Sequence, residues 1–231
     1  MEMRYEVLLF DADETLFDFK KSEREAFKNS MLEFKIAYEE QLHLKIYNDI
    51  NTAIWKEFEQ GKITQEKLKV ERFRRLGENL KVDFDEVEFS KAYIRHLAKA
   101  SFLYEETAEL IEKLHKDYKL AIVTNGLKEV QDSRIKESII GKYFEGIVIS
   151  EEVKLSKPDA RIFEYALSNI KHEDKSKVLM VGDSLTSDIQ GGINFGIDTC
   201  WFNRSKLENN TGIIPTYEIY SLLELKNILE K

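Results

Sequence analysis

Four carboxylates follow the apolar run Val7–Phe10 within eight residues, in the stretch DADETLFD at 11–18. Crowded carboxylates repel one another and lose hydration, so such a cluster requires a cation, protonation or a solvent-filled cleft. A carboxylate at a strand end can attack phosphorus and form an aspartyl-phosphate, which makes Asp11 the candidate nucleophile. Asp13 can protonate the leaving group and then take a proton from water.

Three later stretches also place polar residues directly after or close behind an apolar run, and their chemically capable members are Thr124, Asn125 and Gly126, then Lys157 and Pro158, then Asp183, Ser184 and Asp188. The carboxyl ends of neighbouring strands converge in a doubly wound sheet, so we expect these stretches to share one cleft. Mg²⁺ held by Asp11, the backbone carbonyl of Asp13 and Asp183 would offset the repulsion between the carboxylates. We expect Asp188 to serve the metal through water or to orient its ligands, with a helix first-turn acid as the alternative.

Phosphoryl oxygens need hydrogen-bond donors and positive charge. The Thr124 hydroxyl and the backbone amides of Asn125 and Gly126 would supply donors at a helix start, a setting suited to anions. Lys157 would supply a point charge able to reach both phosphate and Asp11. Lys154 is a nearby competitor, but the proline at 158, suited to the first turn of the next helix, favours Lys157.

These residues need a scaffold, and the apolar runs predict one. Five short buried strands are expected, at Val7–Phe10, Leu120–Thr124, Gly146–Ile149, Val178–Gly182 and Thr199–Phe202. Continuous apolar runs are typical of a parallel sheet covered on both faces. Helical patterns between the later runs, at Lys128–Glu137, Ala160–Ile170 and Ser187–Phe195, predict an α/β doubly wound, mostly parallel fold.

Residues 18–97 show helix-period apolar spacing instead, which predicts about four helices in a cap inserted over the carboxyl edge of a core formed by 1–17 and 98–231. A turn is expected at Gly61–Thr64, with Thr64 as the N-cap of the following helix. The cap cations Lys62, Arg72 and Arg75 are candidates for substrate choice. A solvated helix face is the favoured explanation of the charges at 69–75.

The amino-acid composition limits the classes of partner that this protein can bind. The 231 residues carry 35 Lys and Arg against 43 Asp and Glu, a net charge of −8 that disfavours binding of a nucleic-acid polymer. The single cysteine, Cys200, excludes an internal disulfide and reads as a buried packing residue. No run approaches the ~18 apolar residues that a membrane span needs, and the N-terminus does not have the pattern of a signal peptide. We therefore expect a cytoplasmic protein that does not bind membranes.

The four segments resemble the motifs of the haloacid dehalogenase-like (HAD) hydrolase superfamily, in the same order along the chain: Asp11-Ala12-Asp13-Glu14-Thr15, Thr124-Asn125-Gly126, Lys157-Pro158, and Gly182-Asp183-Ser184 to Asp188. The insertion resembles the small helical cap of its first subclass. Many relatives have glycine where this chain has Glu14. Within the family, DADETLFDF is similar to the branch of pyrimidine 5′-nucleotidases. The resemblance implies a Mg²⁺-dependent phosphomonoesterase acting on a small phosphorylated metabolite, a nucleoside monophosphate above all.

Other functions stay open at this point. The same scaffold supports a phosphatase or phosphomutase acting on a sugar phosphate or another small metabolite. A 2-haloacid dehalogenase is disfavoured, because those relatives generally lack an acid at the position of Asp13. A non-enzymatic, phospho-accepting module is a further alternative. Both a monomer and a homodimer are compatible with the sequence.

Overall fold

The computed structural model describes residues 4–230, and its centre is a six-stranded sheet. The strands are β1 (Val7–Phe10), β2 (Lys119–Thr124), β3 (Gly146–Ile149), β4 (Val178–Gly182), β5 (Asp198–Phe202) and β6 (Tyr217–Ile219). They lie in the order β3-β2-β1-β4-β5-β6, and every neighbouring pair is parallel. The five predicted strands are confirmed. The sixth strand, β6, was not predicted, because its three residues are too few for a periodic signal.

Both faces of the sheet are covered, which explains the unbroken apolar runs. Successive side chains of a strand point to opposite faces. Leu8 and Phe10 of β1 accordingly belong to one hydrophobic cluster, whereas Val7 and Leu9 belong to another. All four side chains are fully buried. The predicted doubly wound α/β architecture is therefore confirmed.

The helices packed around the sheet are α5 (Thr107–Leu114), α6 (Lys128–Lys136), α7 (Ser150–Val153), α8 (Ala160–Asn169), α9 (Gln190–Phe195) and α10 (Leu225–Leu229). The predicted helix at Ser187–Phe195 is wrong at its start, because Leu185–Ile189 forms a π-helical turn before α9 begins. Cys200 is buried in β5, as predicted. Among the described residues, no helix combines the length and the apolar character needed to cross a bilayer.

The chain divides into two compact units, the described residues of Met1–Phe19 and Ser101–Lys231 forming one and Lys20–Ala100 the other. The second unit is helical, with α1 (Phe19–Glu33), α2 (Glu40–Glu59), α3 (Gln65–Leu80) and α4 (Glu86–Lys99). Aromatic rings fill its interior: Tyr47 stacks on Phe27 with centroids 4.5 Å apart, and Phe73 lies 4.9 Å from Phe89. Thr64 accepts a hydrogen bond from the Lys67 amide at the start of α3, so the predicted N-cap is confirmed.

Candidate active site

The first and central part of the site is the carboxyl end of β1. Phe10, its last residue, is paired with Ile122 of β2 on one side and with Val181 of β4 on the other. The Asp11 amide continues the ladder by donating to the Val181 carbonyl at 2.9 Å. Asp11 therefore leaves the sheet between two neighbouring strands, where parallel strand ends form a crevice.

Three carboxylates meet at this crevice. Oxygen atoms of Asp11, Asp183 and Asp188 all lie within 4.8 Å of one another, with Asp11 and Asp188 buried and Asp183 half-buried. Burial raises the pKa of Asp11 and of Asp183, and the neighbouring carboxylates raise both further. Hard oxygen donors at this spacing suit a hard divalent cation such as Mg²⁺.

Lys157 supplies the positive charge of the site. Its Nζ donates to Asp11 Oδ1, to Asp188 Oδ1 at 2.8 Å and to the Val123 carbonyl at 2.6 Å. Burial disfavours the charged ammonium, but the two carboxylates outweigh it and raise the pKa of Lys157. Lys154, its competitor in the sequence, is exposed. The structure thus brings Lys157 rather than Lys154 to the carboxylates.

Asn125 connects two of the sequence segments. Its side-chain amide donates to the Lys157 carbonyl at 2.8 Å, and its side-chain oxygen accepts from the Lys157 amide at 2.9 Å. This pair of bonds holds the backbone from which Lys157 extends. The prediction for Pro158 was wrong: it precedes Asp159, the N-cap of α8, and so lies ahead of the first turn. The Arg161 amide donates to Asp159 Oδ1 at 2.9 Å and so begins the helix instead.

Asp188 reaches the site because of the π-helical turn Leu185–Ile189. Its Oδ2 accepts from the Ser184 amide at 2.9 Å, and its side chain is 1% exposed. A Cβ on Gly182 would lie 2.3 Å from Asp188 Oδ2, so glycine at this position makes room for the carboxylate. Ser184 accepts from the Ser187 amide at 3.3 Å. Its side chain is thereby engaged in the turn itself.

Asp13 contacts two residues that were not among the predicted site residues, Gln131 and Arg134. Its Oδ1 accepts from Arg134 Nη1 at 2.7 Å, and its Oδ2 accepts from Gln131 Nε2 at 2.5 Å. Both partners lie on α6 and are buried. Their spacing of three residues puts them on one helix face. The shared helix face could be recognised from the sequence, but charged and polar residues at this spacing are also common on solvated helices.

Thr124, at the end of β2, is linked to the same helix. Its Oγ1 accepts from Gln131 Nε2 at 3.2 Å. Because the hydroxyl oxygen receives this bond, its own hydrogen is left to donate elsewhere. The following Asn125 and Gly126 precede α6, which begins at Lys128. The predicted anion-binding donors therefore stand at a helix start, as expected.

The three cap candidates have different surroundings. Lys62 is exposed. Arg75 is paired with Glu57 through bonds of 2.7 and 2.9 Å and with Glu71 at 3.0 Å, which agrees with a solvated, ion-paired helix face. Arg72 departs from that explanation: it is 3% exposed, and its Nε and Nη2 have no hydrogen-bond partner among the residues the structure describes.

Comparison with known proteins agrees with this geometry. Residues 5–196 match the family model of haloacid dehalogenase-like hydrolases. The pyrimidine 5′-nucleotidase PynA of Streptococcus pneumoniae is 40% identical over 235 residues, covering 99% of this chain and 99% of that protein. The pyrimidine 5′-nucleotidase YjjG of Escherichia coli is 35% identical over 229 residues, covering 99% and 100%. A crystal structure of the HAD-hydrolase YfnB of Bacillus subtilis, bound to magnesium, aligns with a TM-score of 0.92 at 35% identity, over 99% of this chain and 100% of that one.

Proposed function

This chain belongs to the haloacid dehalogenase-like hydrolase family, and we propose that it is a Mg²⁺-dependent phosphatase that hydrolyses pyrimidine nucleoside 5′-monophosphates. The observation that carries the proposal is the meeting of Asp11, Asp183 and Asp188 at the ends of two neighbouring parallel strands, with Lys157 contacting two of the three. An electrostatic site of this kind suits the transfer of an anionic phosphoryl group.

The residues present fit a magnesium ion. Asp11 and Asp183, with the backbone carbonyl of Asp13, are the ligands we propose, and Asp188 supports them directly or through water. Burial is the main reason that the pKa values of Asp11 and Asp183 are raised, and the neighbouring carboxylates add to it. A bound divalent cation would offset the repulsion between these carboxylates and the charge of the phosphoryl oxygens.

In the first step, the Asp11 carboxylate attacks phosphorus as the bond from phosphorus to the leaving oxygen breaks. The leaving oxygen takes a proton from Asp13 and departs as the nucleoside hydroxyl. The Thr124 hydroxyl and the backbone amides of Asn125 and Gly126 donate to the phosphoryl oxygens, which carry most of the charge, and the positive charge of the Lys157 ammonium offsets it. The product of this step is an aspartyl-phosphate on Asp11.

In the second step, Asp13 takes a proton from a water molecule whose oxygen attacks phosphorus. The acyl-phosphate bond to Asp11 breaks, inorganic phosphate leaves, and the Asp11 carboxylate is restored. Asp13 then holds the proton that the next turnover requires. Because Asp13 acts first as an acid and then as a base, this mechanism requires an acid two residues after the nucleophile. A dehalogenase is expected to lack an acid at that position.

The substrate class rests on the two nucleotidase relatives, which match this chain over almost its whole length. Lys62, Arg72 and Arg75 stay our candidates for the choice among substrates. Of the three, Arg72 is buried within the helical unit, where its Nη1 donates to Asn51 Oδ1 at 3.2 Å. The predicted cytoplasmic location and a monomeric or homodimeric state are parts of the same proposal.

The test is phosphate release from a panel of pyrimidine and purine nucleoside monophosphates and sugar phosphates, with Mg²⁺ and with EDTA. Pyrimidine nucleoside monophosphates should be turned over fastest, and EDTA should abolish turnover. Asp11→Asn should eliminate activity, whereas Asp174→Asn, an exposed acid at the amino end of β4, should leave it unchanged. Faster turnover of a sugar phosphate than of any nucleotide would contradict the proposed substrate, and activity in EDTA would contradict the metal.

A further inference from the structure

The carboxylate of Asp13 is held at both of its oxygens by α6. Arg134 Nη1 donates to one oxygen at 2.7 Å and Gln131 Nε2 to the other at 2.5 Å. Because each oxygen has its own donor, turning the carboxylate breaks at least one charge-assisted bond. Each oxygen retains a second lone pair, so the held group can still exchange a proton.

Arg134 is a cation whose side chain is completely buried. Its side chain is 0% exposed, and Cζ lies 5.3 and 5.2 Å from the ring centres of Phe17 and Phe19. Within the described part of the chain, its Nε and Nη2 have no hydrogen-bond partner. An apolar side chain would fill this space without the cost of desolvating a charge. The contact with the Asp13 carboxylate therefore explains why a charged side chain is buried at this position.

Gln131 joins Asp13 to the phosphate-binding donors. Its Nε2 also donates to Thr124 Oγ1 at 3.2 Å, so one amide touches both the acid and the hydroxyl. A Cβ on Gly126 would lie 2.7 Å from Gln131 Nε2 and equally close to its Cγ. Glycine at this position thus gives the glutamine side chain its path to Asp13.

We infer that Arg134 and Gln131 are positioning residues that fix the Asp13 carboxyl for proton transfer. The inference rests on the proposed phosphatase activity. Asp13 must first lie beside the leaving oxygen and then beside the attacking water, and a displacement of about 1 Å can cost about 10²-fold in rate. Two donors from one rigid helix restrict the carboxyl to a single orientation.

The test compares the kinetics of the Arg134→Gln variant on two substrates. Uridine monophosphate has an alkoxide leaving group that needs the proton of Asp13, whereas p-nitrophenyl phosphate releases a phenolate that is stable as an anion. We expect kcat for uridine monophosphate to fall about 10- to 100-fold, with KM within about threefold. For p-nitrophenyl phosphate, rapid mixing should show a burst of p-nitrophenol of about one per active site, because the first step persists while hydrolysis of the aspartyl-phosphate slows.

Gln131→Met provides a second variant without a charge change, and we expect a smaller loss of about tenfold by the same pattern. Lys136→Gln, an exposed cation on the same helix, should match the wild type. In an Asp13→Asn background, Arg134→Gln should cause no further loss, because the group it positions is gone. Equal losses on both substrates without a burst, or a fall in melting temperature with kcat unchanged, would overturn the inference. If the wild type hydrolyses p-nitrophenyl phosphate but no nucleotide, the proposed substrate fails while the burst comparison still tests Arg134.

Discussion

Replacing Lys157 by methionine tests whether the carboxylates of the site are held together by this one ammonium. The side chain of Lys157 is 1% exposed and contacts Asp11 and Asp188, which are 10% and 1% exposed. Methionine keeps most of the volume and removes the charge. Taking one partner from a buried ion pair costs about 3–5 kcal/mol, because the remaining charge is left buried and uncompensated.

That loss corresponds to a fall in melting temperature of about 6–20 °C, at about 2–4 °C per kcal/mol for a chain of this size. The assay is thermal unfolding in EDTA, followed by circular dichroism. Lys154→Met is the matched control, because Lys154 is exposed and close in sequence. We expect its free energy of unfolding to change by less than about 0.5 kcal/mol.

The pH dependence of the loss follows from the buried carboxyls. Burial raises the pKa of Asp11 and Asp183 above the ordinary 3.8 in the folded protein. The folded state therefore binds protons that the unfolded state has released, and the stability this contributes is present at low pH and is lost as the pH rises above about 4. Removing Lys157 raises the pKa of Asp11 further, so Lys157→Met should be destabilised more at pH 8 than at pH 5.

Magnesium should recover part of the loss, because a cation that binds only the folded state stabilises it by about 2.7 kcal/mol at 100 times its dissociation constant. Turnover of the variant should stay low even with Mg²⁺ in excess, since the positive charge that faces the phosphoryl group is missing. A loss below about 1 kcal/mol at pH 8 in EDTA, or a larger loss at pH 5 than at pH 8, would refute the reasoning.

Three further substitutions test single structural features. Asn125→Ala removes both bonds to the Lys157 backbone, so it should lower kcat at least about tenfold and the free energy of unfolding by about 1–3 kcal/mol. Steady-state kinetics and urea unfolding measure these two effects. An unchanged kcat would contradict the role of Asn125. Gly182→Ala should displace Asp188 and weaken the magnesium-induced rise in melting temperature, and a crystal structure with Asp188 unmoved would count against this. Glu14 has a φ of 61°, in the left-handed region that glycine adopts without strain. Glu14→Gly should therefore raise the free energy of unfolding by up to about 1 kcal/mol, measured by urea titration. A loss of stability would show that the side-chain contacts of Glu14 contribute more than the backbone strain costs.

Glu14 adopts a backbone conformation that favours glycine. The resemblance to the family leads us to expect glycine at this position, and the φ of 61° here is one that glycine adopts without strain. The Glu14 side chain has a partner in Tyr104, whose hydroxyl donates to Oε2 at 3.4 Å. No sequence signal identified the left-handed conformation, because a turn of this kind accepts several residue types.

The sequence alone determined five of the six described strands, a mostly parallel sheet and the convergence of Asp11 and Asp183. Continuous apolar runs require a sheet covered on both faces, and in such a sheet the polar residues that follow neighbouring strands must emerge at the same edge. These conclusions depend on local patterns and on a general property of parallel sheets. They needed no knowledge of which side chains touch.

Only the tertiary structure decided the partners of the charged groups. Asp13 bonds to Gln131 and Arg134, which follow it by 118 and 121 residues, and Arg72 proved to be buried although its neighbours form a solvated, ion-paired face. Periodicity identifies the face of a helix on which a residue lies but not the distant side chain it meets. Since the energy of a charge depends on its burial and its nearest counter-charge, those facts required the folded chain.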